Sequence, residues 1–106
     1  MTQHISMSDL NRQLSKITKK DLILDVRGRD EYSTGHVPGS KNIPHPEISQ
    51  HQSELQGYDQ IFVYCQAGRR SQIATATLES LGFKNLICIS ADGMGAWISS
   101  GYPVEK

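Results

Sequence analysis

The chain has only two cysteines in 106 residues, no long apolar run and no surplus of charge of either sign. Each shortage excludes something. With 11 basic against 11 acidic side chains, no global field draws it to nucleic acid or an anionic membrane surface. No apolar stretch approaches the ~20 residues that span a bilayer. Met1 to Asn11 has neither the basic segment nor the apolar segment of a secretory signal, so a cytoplasmic protein is expected. Cys65 and Cys88 form no C-x-x-C pair, and His4, His36, His45 and His51 show no H-x-x-x-H spacing. Neither a disulfide scaffold nor a metal centre is therefore expected. The length suits one domain, residues 1–106, with no repeat and no linker.

What the chain does have is a regular alternation of short apolar runs and helical patterns. Ser6 followed by Asp9 reads as a helix N-cap with an acidic first turn. Met7, Leu10 and Leu14, with Ile17 near the next turn, predict a first helix ending near Lys19-Lys20. Leu22 to Val26 reads as a buried strand. Arg29 to Tyr32 predicts one helical turn closed by Gly35, and His36-Val37-Pro38-Gly39 a tight connection. Lys41 to Ile43 is a short extended piece stopped by Pro44. Pro46 to Leu55 predicts a second helix, with Pro46 in its first turn and Gly57 past its end.

Gln60 to Tyr64, rich in β-branched and aromatic residues, is the clearest strand. Ser71 to Leu81 predicts a helix with Ile73, Ala74, Thr77, Leu78 and Leu81 on one face and Gly82 as its stop. Asn85 to Ile89 is a last strand, and Gly93 to Ser100 a last short helix. This alternation predicts an α/β fold with a mainly parallel sheet covered by helices on both faces.

The chemistry is concentrated between the clearest strand and the clearest helix, in Cys65-Gln66-Ala67-Gly68-Arg69-Arg70-Ser71. The strand places Cys65 at the carboxyl edge of the sheet, where open α/β sheets bind ligands. A short loop entering a helix turns several backbone N–H groups inward as an anion nest, and the helix terminus adds partial positive charge. Arg69 and Arg70 add cations whose forked donors suit oxyanions. Such surroundings favour a thiolate without a histidine base. The loop therefore reads as nucleophile and oxyanion clamp together. Two reactions suit it. Attack on the outer sulfur of thiosulfate, or of a similar sulfane donor, gives a Cys65 persulfide and releases sulfite. Attack on a phosphate ester gives a phosphocysteine.

Three ordered motifs resemble the rhodanese family. The loop from Cys65 to Ser71 resembles the pattern C-x-x-G-x-R-[ST]. Upstream, Asp25-Val26-Arg27, Glu31-Tyr32, Gly35-His36-Val37-Pro38-Gly39-Ser40 and Asn42-Ile43-Pro44 are similar to the family's N-terminal signature. Downstream, Gly82-Phe83, Gly93-Met94-Gly95-Ala96-Trp97 and Gly101-Tyr102-Pro103-Val104 are similar to its C-terminal one. The resemblance implies a three-layer α/β sandwich around a five-stranded, mostly parallel sheet. It also implies that Cys65 carries sulfane sulfur from a small anionic donor to cyanide, a small thiol or a protein cysteine, with no cofactor. Gln66, Ala67, Gly68, Arg69, Arg70 and Ser71 are the implied substrate-binding positions. One departure stands out. Asp92-Gly93 replaces the family's frequent Gly-Gly, and Asp enters a left-handed turn less readily than Gly. A negative charge near the pocket wall is expected to weaken anionic donors.

Spacing separates the competing reactions. Cysteine phosphatases resemble H-C-x-x-x-x-x-R, whereas four residues lie between Cys65 and Arg70, and Tyr64 replaces the histidine. No Asp general acid is evident, which disfavours phosphatase and arsenate reductase chemistry. A sulfur-relay or docking module for a partner protein is the other alternative, and the intact Cys65 argues against pure docking. Asp25 and Arg27 read as structural support, bracing their turn with Glu31; the alternative has Asp25 orienting a loop arginine. His36 reads as a hydrogen-bonded core histidine, Cys88 as packing, and Trp97 as a core plug with its N–H partnered. Met94 and Ala96 are candidate pocket-lining residues.

Overall fold

Period-two burial along the strands gives this chain two apolar cores, one on each face of a single sheet. The structure is a computed structural model that describes residues 2–106. Its strands are β1 (Gln3–Ile5), β2 (Asp21–Asp25), β3 (Lys41–Asn42), β4 (Gln60–Tyr64) and β5 (Leu86–Ile89). All pair in parallel, in the order β1-β5-β4-β2-β3. The α-helices are α1 (Met7–Gln13), α2 (Arg29–Thr34), α3 (Arg69–Ser80) and α4 (Met94–Ser99).

Alternation along β4 shows how the layers form. Ile61 and Val63 face a core shared with Leu22 and Leu24 of β2 and Ala74 and Leu78 of α3. Phe62 and Tyr64 face the opposite core, with Met7 and Leu10 of α1 and Met94 and Trp97 of α4. Cys65 continues the first set and is buried with it. The result is a three-layer α/β sandwich, one parallel sheet with helices on both faces. Among the described residues, no helix is long and apolar enough to cross a membrane.

The sequence expectations meet the structure unevenly. Ser6 caps α1 as expected: its hydroxyl accepts from Asp9 N at 3.2 Å, and the Asp9 carboxylate accepts from Ser6 N at 3.0 Å. The helix is shorter than its spacing predicts, tightening into a 3-10 turn at Leu14–Lys16. Residues His45–Leu55 form 3-10 turns, not an α-helix, and break at His51. Only Ile48 and Leu55 are buried there, seven residues apart, so nothing anchors an intervening α-turn. On α3 the buried face is Ser71, Ala74, Thr75 and Leu78; Ile73 is turned out and 46% exposed.

Strand β1 has no sequence signature. Gln3 and His4 are exposed, and pairing with Ile87 to Ile89 alone makes the segment a strand. Trp97 fills the core as expected, donating its indole N–H to Pro103 O at 2.6 Å. His36 is buried, stacked on the Tyr32 ring at 3.6 Å, with Nδ1 2.9 Å from Tyr32 O. Cys88 is buried and free.

Candidate active site

The chain leaves β2 towards β3 on one side and β4 towards β5 on the other, which opens a crevice at the carboxyl edge. Tyr64 lies opposite Asp25 of β2, and Val63 opposite Cys88 of β5, so Cys65 leaves the sheet between these strands. The loop after it is shaped from two sides. Cys65 O accepts from Met94 N at 2.9 Å, and Gln66 O from Gly95 N at 3.3 Å. These two bonds tie the first carbonyls of the loop to the start of α4.

Gly68 N donates to Cys65 Sγ at 3.1 Å. Among the described residues, the N–H groups of Gln66, Ala67, Arg69 and Arg70 have no acceptor. The sulfur thus sits against the Gly68 N–H at the positive end of α3, and Cys65 itself is only 1% exposed.

Two glycines make this close packing possible. Gly68 has φ +108°, a left-handed conformation, and a Cβ there would overlap the carbonyl oxygen of Ser90. Gly93 is extended, and its constraint is space alone: a Cβ would overlap Cys65 O.

Arg70 is held by a two-pronged ion pair, Nη1 to Glu31 Oε1 at 2.6 Å and Nη2 to Glu31 Oε2 at 2.9 Å. Glu31 Oε1 also accepts from Gly28 N at 2.9 Å. The Arg70 guanidinium is the main reason the Glu31 carboxyl is pulled down to about 2, with the Gly28 N–H adding to it. Glu31 in turn raises the Arg70 pKa by its hydrogen bonds and its charge, against the burial that would lower it.

A second pair supports the loop from below. Arg27 Nε and Nη2 bind the Asp25 carboxylate at 2.8–3.1 Å, both residues being buried. Burial alone would lower the Arg27 pKa, but the bonds to Asp25 carry it above its ordinary value. Arg27 Nη2 also donates to Gly35 O at 2.7 Å, and Nη1 to Gln66 Oε1 at 3.2 Å. The Asp25–Arg27 pair thus braces its own turn and reaches the loop side chain.

The remaining loop positions divide. Ala67 and Arg69 are exposed, and Arg69 makes no ion pair among the described residues. The Ser71 hydroxyl lies inward, 2.7 Å from Ile89 O and 2.9 Å from Gly68 O, and staples α3 to β5. Met94 is fully buried in the α4-side core, while Ala96 is half-buried.

Asp92 departs from expectation. No non-glycine residue among those described has a positive φ, so Asp92 adopts no left-handed turn. Its Oδ1 accepts from Met7 N at 2.8 Å and satisfies a free donor at the start of α1. The carboxylate fixed to the loop is Glu31. Sequence reasoning placed it with Asp25 and Arg27, because a pairing across 39 residues leaves no local trace.

Comparison with known proteins places the sequence and the fold. A family model described as Rhodanese-like domain matches residues 6–100. Thiosulfate sulfurtransferase 18 of Arabidopsis thaliana is 31% identical, over 99% of this chain and 93% of that protein. YrkF of Bacillus subtilis (strain 168) is 41% identical over 75 residues, 71% of this chain and 40% of that protein. The chain spans between 37% and 51% of the length of YrkF and two further curated relatives. Among solved structures, a rhodanese-related protein from Thermoplasma volcanium superposes with a TM-score of 0.82 at 32% identity, covering 97% of both chains. With the family model spanning most of its length, this chain belongs to the rhodanese-like domain family.

Proposed function

We propose that this protein transfers sulfane sulfur through a persulfide on Cys65. The observation that carries the reading is Cys65 Sγ accepting the Gly68 N–H at 3.1 Å, in a loop whose other N–H groups have no acceptor among the described residues. Loading begins with attack of the Cys65 thiolate on the outer sulfur of thiosulfate or a similar donor. A new S–S bond forms on Cys65, the donor's S–S bond breaks, and its electron pair leaves with sulfite. An acceptor nucleophile (cyanide, a small thiol or a protein cysteine) then takes the outer sulfur and returns the thiolate. Gln66 to Arg70 cradle the negative charge in both steps, and neither step calls on a metal or a cofactor.

Relatives named thiosulfate sulfurtransferase, in Arabidopsis thaliana and Pseudoalteromonas translucida, support the same assignment. Phosphoryl transfer fits less well. Four residues, not five, separate Cys65 from Arg70, Tyr64 stands where the phosphatase pattern has a histidine, and Arg70 gives one N–H of each terminal nitrogen to Glu31. Relay to a protein thiol uses the same Cys65 chemistry, so the intact cysteine serves both.

Intact-protein mass spectrometry after incubation with thiosulfate tests the reading. One added sulfur atom is expected, localised to Cys65 and absent from Cys65→Ser. A chain that acquires no sulfur from thiosulfate, from polysulfide or from an organic persulfide would overturn it.

A further inference from the structure

The charges around the nucleophile cancel one against one. Arg27 is spent on Asp25, Gly35 O and Gln66, and Arg70 faces Glu31 with both terminal nitrogens. Arg69 is the loop cation without an acidic partner among the described residues, and it stands exposed in solvent, which screens it. What remains for a ligand inside the loop is the field of the N–H groups. Such a field suits one negative charge well and a second one poorly. A Cys65 persulfide carries one, and so does an incoming organic persulfide. Thiosulfate carries two, and its sulfite leaving group departs with two.

We propose that Glu31 is a positioning and specificity residue: it fixes Arg70 at the loop while neutralising it, and so selects singly charged persulfide donors over doubly charged oxyanion donors. The inference rests on the sulfur-transfer reading and narrows its donor. Transfer from a persulfide is balanced without a further reactant. The Cys65 thiolate takes the outer sulfur of R–S–S⁻ and becomes the singly charged Cys65 persulfide, the donor S–S bond breaks, and its electron pair leaves as the R–S thiolate. Glu31 accordingly replaces Asp92 as the carboxylate that opposes anionic donors, since Asp92 is tied to the start of α1.

Glu31→Gln is the decisive variant, because it keeps the shape and, through its amide oxygen, an acceptor for Gly28 N and Arg70 Nη1, while removing the charge and the second acceptor. Steady-state transfer to cyanide is compared for thiosulfate and for the persulfide of N-acetylcysteine methyl ester. The wild-type protein is expected to favour the persulfide in kcat/KM. In Glu31→Gln the thiosulfate KM should fall about three- to fivefold, the range a partly screened charge supplies. Its kcat should hold, and the persulfide KM should improve by less. A purely structural Glu31 would instead lower kcat for both donors alike.

A second measurement needs no turnover: sulfate protection of Cys65 against iodoacetamide, read by peptide mass spectrometry. Sulfate should protect Glu31→Gln about three- to fivefold more tightly than wild type, by the same screened charge. Glu31→Ala, which also gives up the Gly28 contact, should move in the same direction and serves if the Gln variant folds poorly. Unchanged or weaker sulfate protection in folded variants would overturn the assignment, whatever the turnover. Tighter protection without transfer from any donor would instead fail the sulfur-transfer reading and leave the charge assignment standing.

Discussion

Met94 donates its backbone N–H to the carbonyl of Cys65 at 2.9 Å, so the start of α4 holds the nucleophile's own peptide. The contact requires Gly93 to lie against Cys65 O with no side chain between them. Gly93→Ala should therefore push the loop away from α4. Overpacking of this kind costs about 1–3 kcal/mol. The transfer rate should fall at least tenfold, because a displacement of about 1 Å at a reacting centre already costs about 100-fold. Urea denaturation and sulfur-loading kinetics measure the two effects. Wild-type values for both would show that the bond between Met94 and Cys65 does not shape the loop.

The buried Asp25–Arg27 pair makes a different prediction. Removing one member leaves the other charged and dry, a change that costs about 3–5 kcal/mol. Arg27→Met should thus be severely destabilised, while Asp25→Asn/Arg27→Met should regain much of the loss by leaving no bare carboxylate. Thermal and urea unfolding of both variants decide it. A single variant within about 1 kcal/mol of wild type would mean that water reaches Asp25.

Much of this architecture is legible in the sequence because local chemistry writes it. The Ser6/Asp9 cap, the apolar strand ending at Tyr64, and the glycine before α3 each announce themselves within four or five residues. What is illegible depends on distant partners. Strand β1 exists through pairing with β5 more than eighty residues away. Ile73 fits a helical stripe with Thr77 and Leu81, yet the sheet below receives Ser71, Thr75 and Leu78 instead. The Cys65 loop is readable because nucleophile, glycine and arginine are contiguous. Its charge balance is not, because Glu31 and Asp92 each find their partner through the fold.

Cys88 provides a negative control. Burial pushes its thiol up, with the Thr75 and Ser71 hydroxyls partly opposing that, so at neutral pH it stays protonated under α3. Cys88→Ala should leave sulfur transfer unchanged and cost about 1 kcal/mol of stability, a usual value for a small core truncation. Activity assays and urea melts read both. A loss of transfer in a stably folded Cys88→Ala protein would give the second cysteine a part in the chemistry.

The acid limb of the stability profile should report on Glu31. Its carboxyl is held at about 2 in the folded protein, against 4.5 when free. A depressed carboxylate contributes stability that is fully present above about pH 4.5 and is lost as pH falls towards 2. Because the side chain is 38% exposed, solvent screening limits that contribution to about 1 kcal/mol or less. In Glu31→Gln this component is missing at every pH. Urea melts of both proteins between pH 6 and pH 2.5 should therefore show a gap that narrows steadily with acidification. A gap that stays constant across that range would mean the Glu31–Arg70 pair contributes nothing to folding. Its role would then be confined to the charge it sets beside Cys65.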